Sequence, residues 1–322
     1  MRYHFGGIAM VLLAMFPWVS LAASPRAAPP QVVVTIKPLY ALVSGVMQGV
    51  GRPELLLPGS VSPHSHALRP SEARLLRQAE LIFWVGDEFE TFLVKPLQQL
   101  AKNAKTIALH EAPGITLLAN RELGAKENHP KENHLDTSLG AAAPDAHHHG
   151  ARDMHIWLGP DNALAMTEFI GKTLAQHDPS HAVQYRTNAL DLAKRIQTFA
   201  ADAQKRLDPI KDKPFIVFHD AYRYFENYFG LRSVGFLSVD PERPISARRL
   251  QEIHATLGET GAACIFAEPQ FEPALIDAII ADGKVRKGVL DPLGADAPDT
   301  QEGWFVLMDN LVTHLTQCLA HP

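Results

Sequence analysis

Residues 180–207 read SHAVQYRTNALDLAKRIQTFAADAQKRL, a run of 28 positions with neither Gly nor Pro. Apolar side chains recur at 182, 183, 189, 190, 193, 196, 200, 203 and 207. Steps of three and four keep one face of a helix apolar, so the run reads as a single amphipathic helix. Asp178-Pro179 supplies an N-cap with proline in the first turn, and Pro209 supplies the stop. At 1.5 Å per residue such a helix extends about 42 Å, longer than a small domain is wide. It is either a long surface helix within one domain or a stiff connector between two. Its flanks favour the connector.

Short β-branched and aromatic runs lie on both sides. Val32–Ile36, Glu54–Leu57, Leu81–Val85 and His155–Leu158 precede the helix; Phe215–Phe218, Cys264–Ala267 and Gly288–Leu290 follow it. Helical patterns near 39–50, 71–80, 161–176, 246–260, 273–282 and 301–318 alternate with these runs. Continuous apolar runs are what strands buried on both faces look like, and alternation with helices gives parallel sheets covered by helices. The fold class is therefore α/β. At roughly 150 residues per domain, 322 residues suit two lobes, each burying a core of its own. We read a first lobe over 24–178, the linking helix over 179–208 and a second lobe over 209–322.

Composition narrows the function. With 46% hydrophobic and 20% charged residues the chain is an ordinary globular one. Its net charge of −5, from 30 basic and 35 acidic side chains, offers no basic surface for phosphate backbones, so nucleic acid is excluded as a partner. Residues 1–23 combine Arg2, an apolar run from Ile8 to Leu21 and the small-residue stretch Ser20-Leu21-Ala22-Ala23. The run is broken by Pro17 and falls short of the roughly 20 residues a membrane span needs, so it reads as a cleaved secretory signal. Export places Cys264 and Cys318 in an oxidising compartment. Their wide spacing lacks C-x-x-C logic, which favours a structural disulfide over two buried thiols or a metal pair.

Histidine is abundant, at 16 residues. Five of them, His129, His134, His147, His148 and His149, fall in the stretch 119–152 among Lys, Glu, Asn, Asp and Ala. Few large apolar side chains are available there to offset ordering entropy, so the stretch reads as a mobile insertion in the first lobe. Such tracts make weak, multiple metal contacts; the bland alternative is a solvated linker. Three other histidines sit at element ends: His64 in the turn-rich Gly59-Ser60-Val61-Ser62-Pro63-His64, His155 at the head of an apolar run, and His219 directly after Phe215–Phe218. Ligands of open α/β sheets bind at the carboxyl ends of strands. Singly, each is an ordinary structural histidine. Together they suggest a Zn²⁺ site with a fourth position for a carboxylate or water.

Five ordered blocks carry a more specific signal. They are Ser62-Pro63-His64 with Leu68-Arg69-Pro70, Asp153–Leu158, Phe218-His219-Asp220-Ala221-Tyr222 with Tyr224-Phe225, Cys264–Phe271, and Leu290-Asp291-Pro292-Leu293-Gly294. Over residues 31–319 the chain closely resembles the periplasmic zinc-binding proteins of ABC uptake transporters, the ZnuA type. The resemblance implies two similar α/β lobes joined by a long rigid helix, metal in the interlobe cleft, His64, His155 and His219 as ligands, and a His-rich loop that helps capture metal. It also implies a monomeric periplasmic carrier whose partner is a membrane permease driven by an ATPase. In the manganese- or iron-binding branch the position of His219 is typically a carboxylate; an imidazole there favours Zn²⁺. Some zinc members carry Glu just before the first ligand, where this chain has Pro63. Asp291 and water are then the candidates for the fourth position, with His66 facing the loop or rim. Glu268 and Asp220 either orient ligand rings or form structural salt bridges.

Three readings of a three-histidine site differ in class: a carrier with no turnover, a zinc hydrolase, and a surface adhesin or metal buffer. Hydrolysis needs a base in reach; there is no H-E-x-x-H motif, and Glu268 is the one obvious candidate.

Overall fold

The computed structural model of the chain describes Met1 and residues 28–59, 61–64, 66–121, 152–238, 245–271, 274–280 and 285–320. The expected signal segment (Met1 aside) and His129, His134, His147, His148 and His149 lie outside the described residues. In chain order the first half holds β1 (Val32–Val34), α1 (Lys37–Val46), β2 (Glu54–Leu55), α2 (Pro70–Gln78), β3 (Leu81–Trp84), α3 (Val94–Leu100), β4 (Lys105–Ala108), β5 (Leu118–Ala119), β6 (Arg152–Asp153) and α4 (Pro160–His177). Helix α5 (Ala182–Leu207) leads to β7 (Phe215–His219), α6 (Arg223–Phe229), β8 (Ser233–Ser238), α7 (Ala247–Thr260), β9 (Cys264–Ala267), α8 (Ala274–Ile279), β10 (Arg286–Val289) and α9 (Gly303–Leu319).

Two four-stranded sheets result, ordered β2-β1-β3-β4 and β10-β9-β7-β8, and every pairing within them is parallel. Counted from its own first strand, the second sheet runs 4-3-1-2, which is the 2-1-3-4 of the first read from the other edge. The halves share one topology. Each has its switch point between its first and third strands, where the chain leaves in opposite directions and opens a crevice at the carboxyl ends.

Side-chain alternation explains why the strands read as unbroken apolar runs. Val32, Val34, Leu81 and Phe83 face a central cluster, while Val33 and Ile82 face a second one with Leu76 and Leu97 of α2 and α3. In the second sheet Phe215, Val217, Cys264 and Phe266 turn to the central cluster, and Ile216, Phe218 and Ile265 turn outward to Ile253 of α7. Both faces are covered, so neither parity is polar. The inner faces of the two sheets belong to one continuous cluster, together with Leu39 of α1, Ile196 of α5 and Leu315 of α9. Each half thus has a cluster of its own on the outer face of its sheet, and the two share a larger one between them.

The quoted helix is present, starting two residues later. Pro179–His181 forms a 3-10 turn and α5 starts at Ala182. Asp178 ends α4 and does not cap α5: its carboxylate accepts from Ser180 Oγ (2.5 Å), His181 Nδ1 (2.6 Å) and Tyr185 Oη (3.0 Å), which fixes the reversal. The buried stripe of α5 is Tyr185, Ala189, Leu192, Ile196, Ala200, Ala203 and Leu207; Val183 and Leu190 are exposed. The stripe is the same period, offset from the sequence reading. It packs on α4 and α1 before it and on α9 after it, so α5 is both connector and splint. Gly171 of α4 permits the close approach, since a Cβ there would lie 2.7 Å from that of Ala189.

Six of these elements were not legible: α3, β4, β5, β6, α6 and β8. One expected strand is absent. Ile156–Leu158 is a 3-10 turn, because the Asp153 side chain accepts the backbone N–H of His155 (3.0 Å) and turns the chain there. Among the described residues no helix is long and apolar enough to cross a membrane. Cys264 and Cys318 form the disulfide, tying β9 to the end of α9 across a separation of 54 residues. A loop of that length stabilises by about 4 kcal/mol in the chain-entropy treatment. Chemical denaturation of the C264A/C318A variant is expected to show a loss of that order, with a native far-UV spectrum before the transition.

Candidate metal centre

The local folds bring three distant imidazoles together. His219 is the last residue of β7, a central strand, and points from the carboxyl end of the second sheet. His64 ends the turn after β2, where its backbone N–H donates to Ser62 Oγ at 3.3 Å. His155 follows β6; Asp153 Oδ1 accepts its ring Nδ1–H at 2.8 Å as well as its backbone N–H. Ring centroids are 5.8 Å apart for His64 and His155, 5.5 Å for His64 and His219, and 4.8 Å for His155 and His219. One nitrogen from each ring lies within 4.8 Å of the others, a grouping that could hold a metal ion. Tetrahedral Zn–N bonds of about 2.05 Å separate nitrogens by about 3.3 Å, so the trio needs only a small contraction around an ion. The cavity between them is about 10 Å³, partly open to solvent and lined by Pro63, His64, Phe89, His155, His219 and Leu293 among others.

Electrostatics prepare two of the rings differently. Burial, with a contribution from His219, holds His155 well below the usual imidazole range, so it is neutral at physiological pH. With Nδ1–H donated to Asp153, its other nitrogen carries the lone pair a metal needs. Burial likewise pushes Asp153 up to about 6. His219 is buried too, which by itself would lower it. The carboxylates of Glu268, Asp153 and Asp220 outweigh that and raise it above the usual value. Glu268 Oε2 lies 3.7 Å from His219 Nδ1, and its Oε1 accepts from Tyr222 Oη at 3.1 Å. A proton on His219 thus holds a place that a cation can take.

The remaining candidates divide. Asp291 does not join the trio: Oδ1 accepts from Gln270 Nε2 and the Leu293 N–H, each at 2.9 Å, and Oδ2 from the Ala295 N–H at 2.5 Å. It braces a turn. Asp220 pairs with Arg121 at 3.1 Å, and Arg121 also pairs with Glu226, so Asp220 has the structural salt bridge. His66 bonds Glu72 at 2.8 Å, and Glu72 accepts the Arg69 N–H that opens α2, which is again structural. Two contributors escaped sequence reading. Asp153 had a signal, since a carboxylate two residues before an N–H forms an Asx turn. Phe89 had none; folding alone sets its ring edge-on at 4.9 Å from His64 and 5.4 Å from His155.

Residues 32–318 match the family described as "Zinc-uptake complex component A periplasmic". The "High-affinity zinc uptake system protein ZnuA" of Brucella suis biovar 1 is 42% identical, the match covering 97% of each chain. A crystal structure of ZnuA superposes with a TM-score of 0.72 at 25% identity, covering 89% of this chain and 99% of that one. A ZnuA deletion mutant with zinc bound gives 0.71 at 25% identity, covering 91% and 100%.

Two outcomes are expected of the site. Replacing Asp153 by Asn leaves His155 without its anionic partner and should weaken zinc affinity about 10–100-fold, measured by competition with a chromophoric chelator. Because an ion must displace the proton that its carboxylate neighbours favour on His219, affinity should fall about tenfold per pH unit once pH drops below that raised pKa. His155 adds no such term, being neutral throughout. Affinity that stayed flat from about pH 7.5 to 5.5 would contradict a site of neutral imidazoles.

Proposed function

This chain belongs to the zinc-uptake complex component A family, and on that premise we propose that it is an exported carrier that captures Zn²⁺ and hands it to an ABC-transporter permease for uptake. His64, His155 and His219 are the ligands. The observation that carries the reading is the convergence of these three imidazoles on a cavity with room for a single ion. An imidazole at 219, where a carboxylate would harden the site, favours Zn²⁺ over Mn²⁺ or Fe²⁺. The fourth position falls to water, because both oxygens of Asp291 already support the 293–295 turn.

A hydrolase is the less favoured reading. A cavity of about 10 Å³ admits no organic substrate beside the ion. Glu268, the one base suggested by sequence, is engaged by Tyr222 and His219. The sequence reading supports the rest of the proposal: residues 1–23 a cleaved signal, a periplasmic monomer, lobes over 24–178 and 209–322 joined through 179–208, and a histidine-rich insertion over 119–152 for weaker capture.

Isothermal titration and zinc-edge anomalous scattering test this together. The wild-type protein should bind one ion tightly, and His219→Ala should abolish that event. Deleting residues 124–150 should retain the tight site and lose only weaker ones. Loading at about 1,000 times Kd should stabilise the fold by about 4 kcal/mol, readable as a rise in Tm. Turnover of peptide, ester or phosphate substrates by the loaded protein would overturn the carrier reading.

A further inference from the structure

The segment 291–299 follows β10 and so belongs to the second half, yet several of its polar contacts run to the first. Lys37 opens α1 at the carboxyl end of β1. Its ammonium donates to the carbonyl oxygens of Ala295 (2.8 Å) and Ala297 and pairs with Asp299 Oδ1 at 3.2 Å. Two of its N–H groups thus donate to carbonyl oxygens of one segment, and the same segment supplies the carboxylate that pairs with its charge. Trp157 Nε1 donates to the Pro292 carbonyl at 2.7 Å, and Arg52 donates to that of Asp299 at 3.1 Å. The same segment walls the metal cavity through Pro292 and Leu293.

The other flank of Lys37 is the turn that leads to His64. A Cβ on Gly59 would lie 2.4 Å from Lys37 Cδ and 2.9 Å from Ala295 Cα. Only a glycine lets the backbone of that turn rest on the lysine stem and on the backbone of 295. One side chain therefore meets the first sheet's switch point, the turn carrying His64, and the wall contributed by the second half.

We propose that Lys37 is a positioning residue for metal retention, locking the 291–299 segment against the His64 turn so that the ion leaves only when that junction opens. The inference rests on the three-histidine reading above. Lys37 is not among the residues lining the cavity, so it acts on the exit and leaves the ligand set alone.

The test is Lys37→Met in the full chain. Zinc dissociation is followed by stopped-flow transfer to a chelator, association by direct mixing, and ligand geometry by the visible spectrum of the Co²⁺-loaded protein. Dissociation should be at least about tenfold faster, with association and the cobalt spectrum unchanged. Dissociation within about twofold of wild type overturns the proposal, as does an altered cobalt spectrum, which would place the lysine's effect on the ligands themselves. Gly59→Ala provides a second route should Lys37→Met fail to fold, since it pushes the turn off the 295 backbone without removing a polar contact. It should also accelerate dissociation, and an unchanged rate overturns the proposal. If wild type binds tightly and His219→Ala abolishes binding while both variants keep the wild-type rate, only the lysine inference fails. If His219→Ala leaves binding intact, the site reading itself fails.

Discussion

Burial of imidazoles beside carboxylates is the constraint on which the rest depends. His155 and His219 are almost wholly removed from water, with Asp153, Glu268 and Asp220 close behind them. Buried carboxylates without a cation are costly, and a proton on His219 meets that need only in part. A divalent ion between the rings meets it more fully. The same arrangement explains why the rings are held so differently: one is kept neutral by burial and by donating to Asp153, and the other is held near charging by its neighbours.

The topology supplies the address. Each half repeats a 2-1-3-4 sheet, and the carboxyl ends of the two sheets meet where His219 leaves β7 and where the turn after β2 brings in His64. His155 arrives by another route, on the 3-10 turn that Asp153 enforces. Two ligands come from sheet ends and one from a local side-chain turn. That mixture lets the site draw on residues about 90 and 64 positions apart without any short motif.

Much of this was legible in the chain. Continuous apolar runs gave the buried parallel strands, and the Gly- and Pro-free stretch gave α5 within two residues of its start. The three histidines stood out as residues at element ends, and the five ordered blocks tied them to a family. The failures have physical causes. His155–Leu158 looks like a strand because burial, which periodicity reports, is the same for a 3-10 turn packed in a core. Strand β8 was hidden by Gly235 in its middle, and β4 by its exposed first residues. Asp291 was attractive as a ligand by its place after a strand; in the structure its oxygens accept from the N–H groups of its own turn and from Gln270, partners that sequence does not display.

The single hydrophobic cluster that both sheets share has a consequence for the chain as a whole. Cut at the end of α5, each fragment would expose apolar surface that the other now covers. The first would lose α9 from the faces of α1 and α5, and the second would lose α1 and α5 from the face of α9. The topology is duplicated, but the two halves share one interior. Reassembly from separate fragments would have to rebuild the common interior before any imidazole trio could exist.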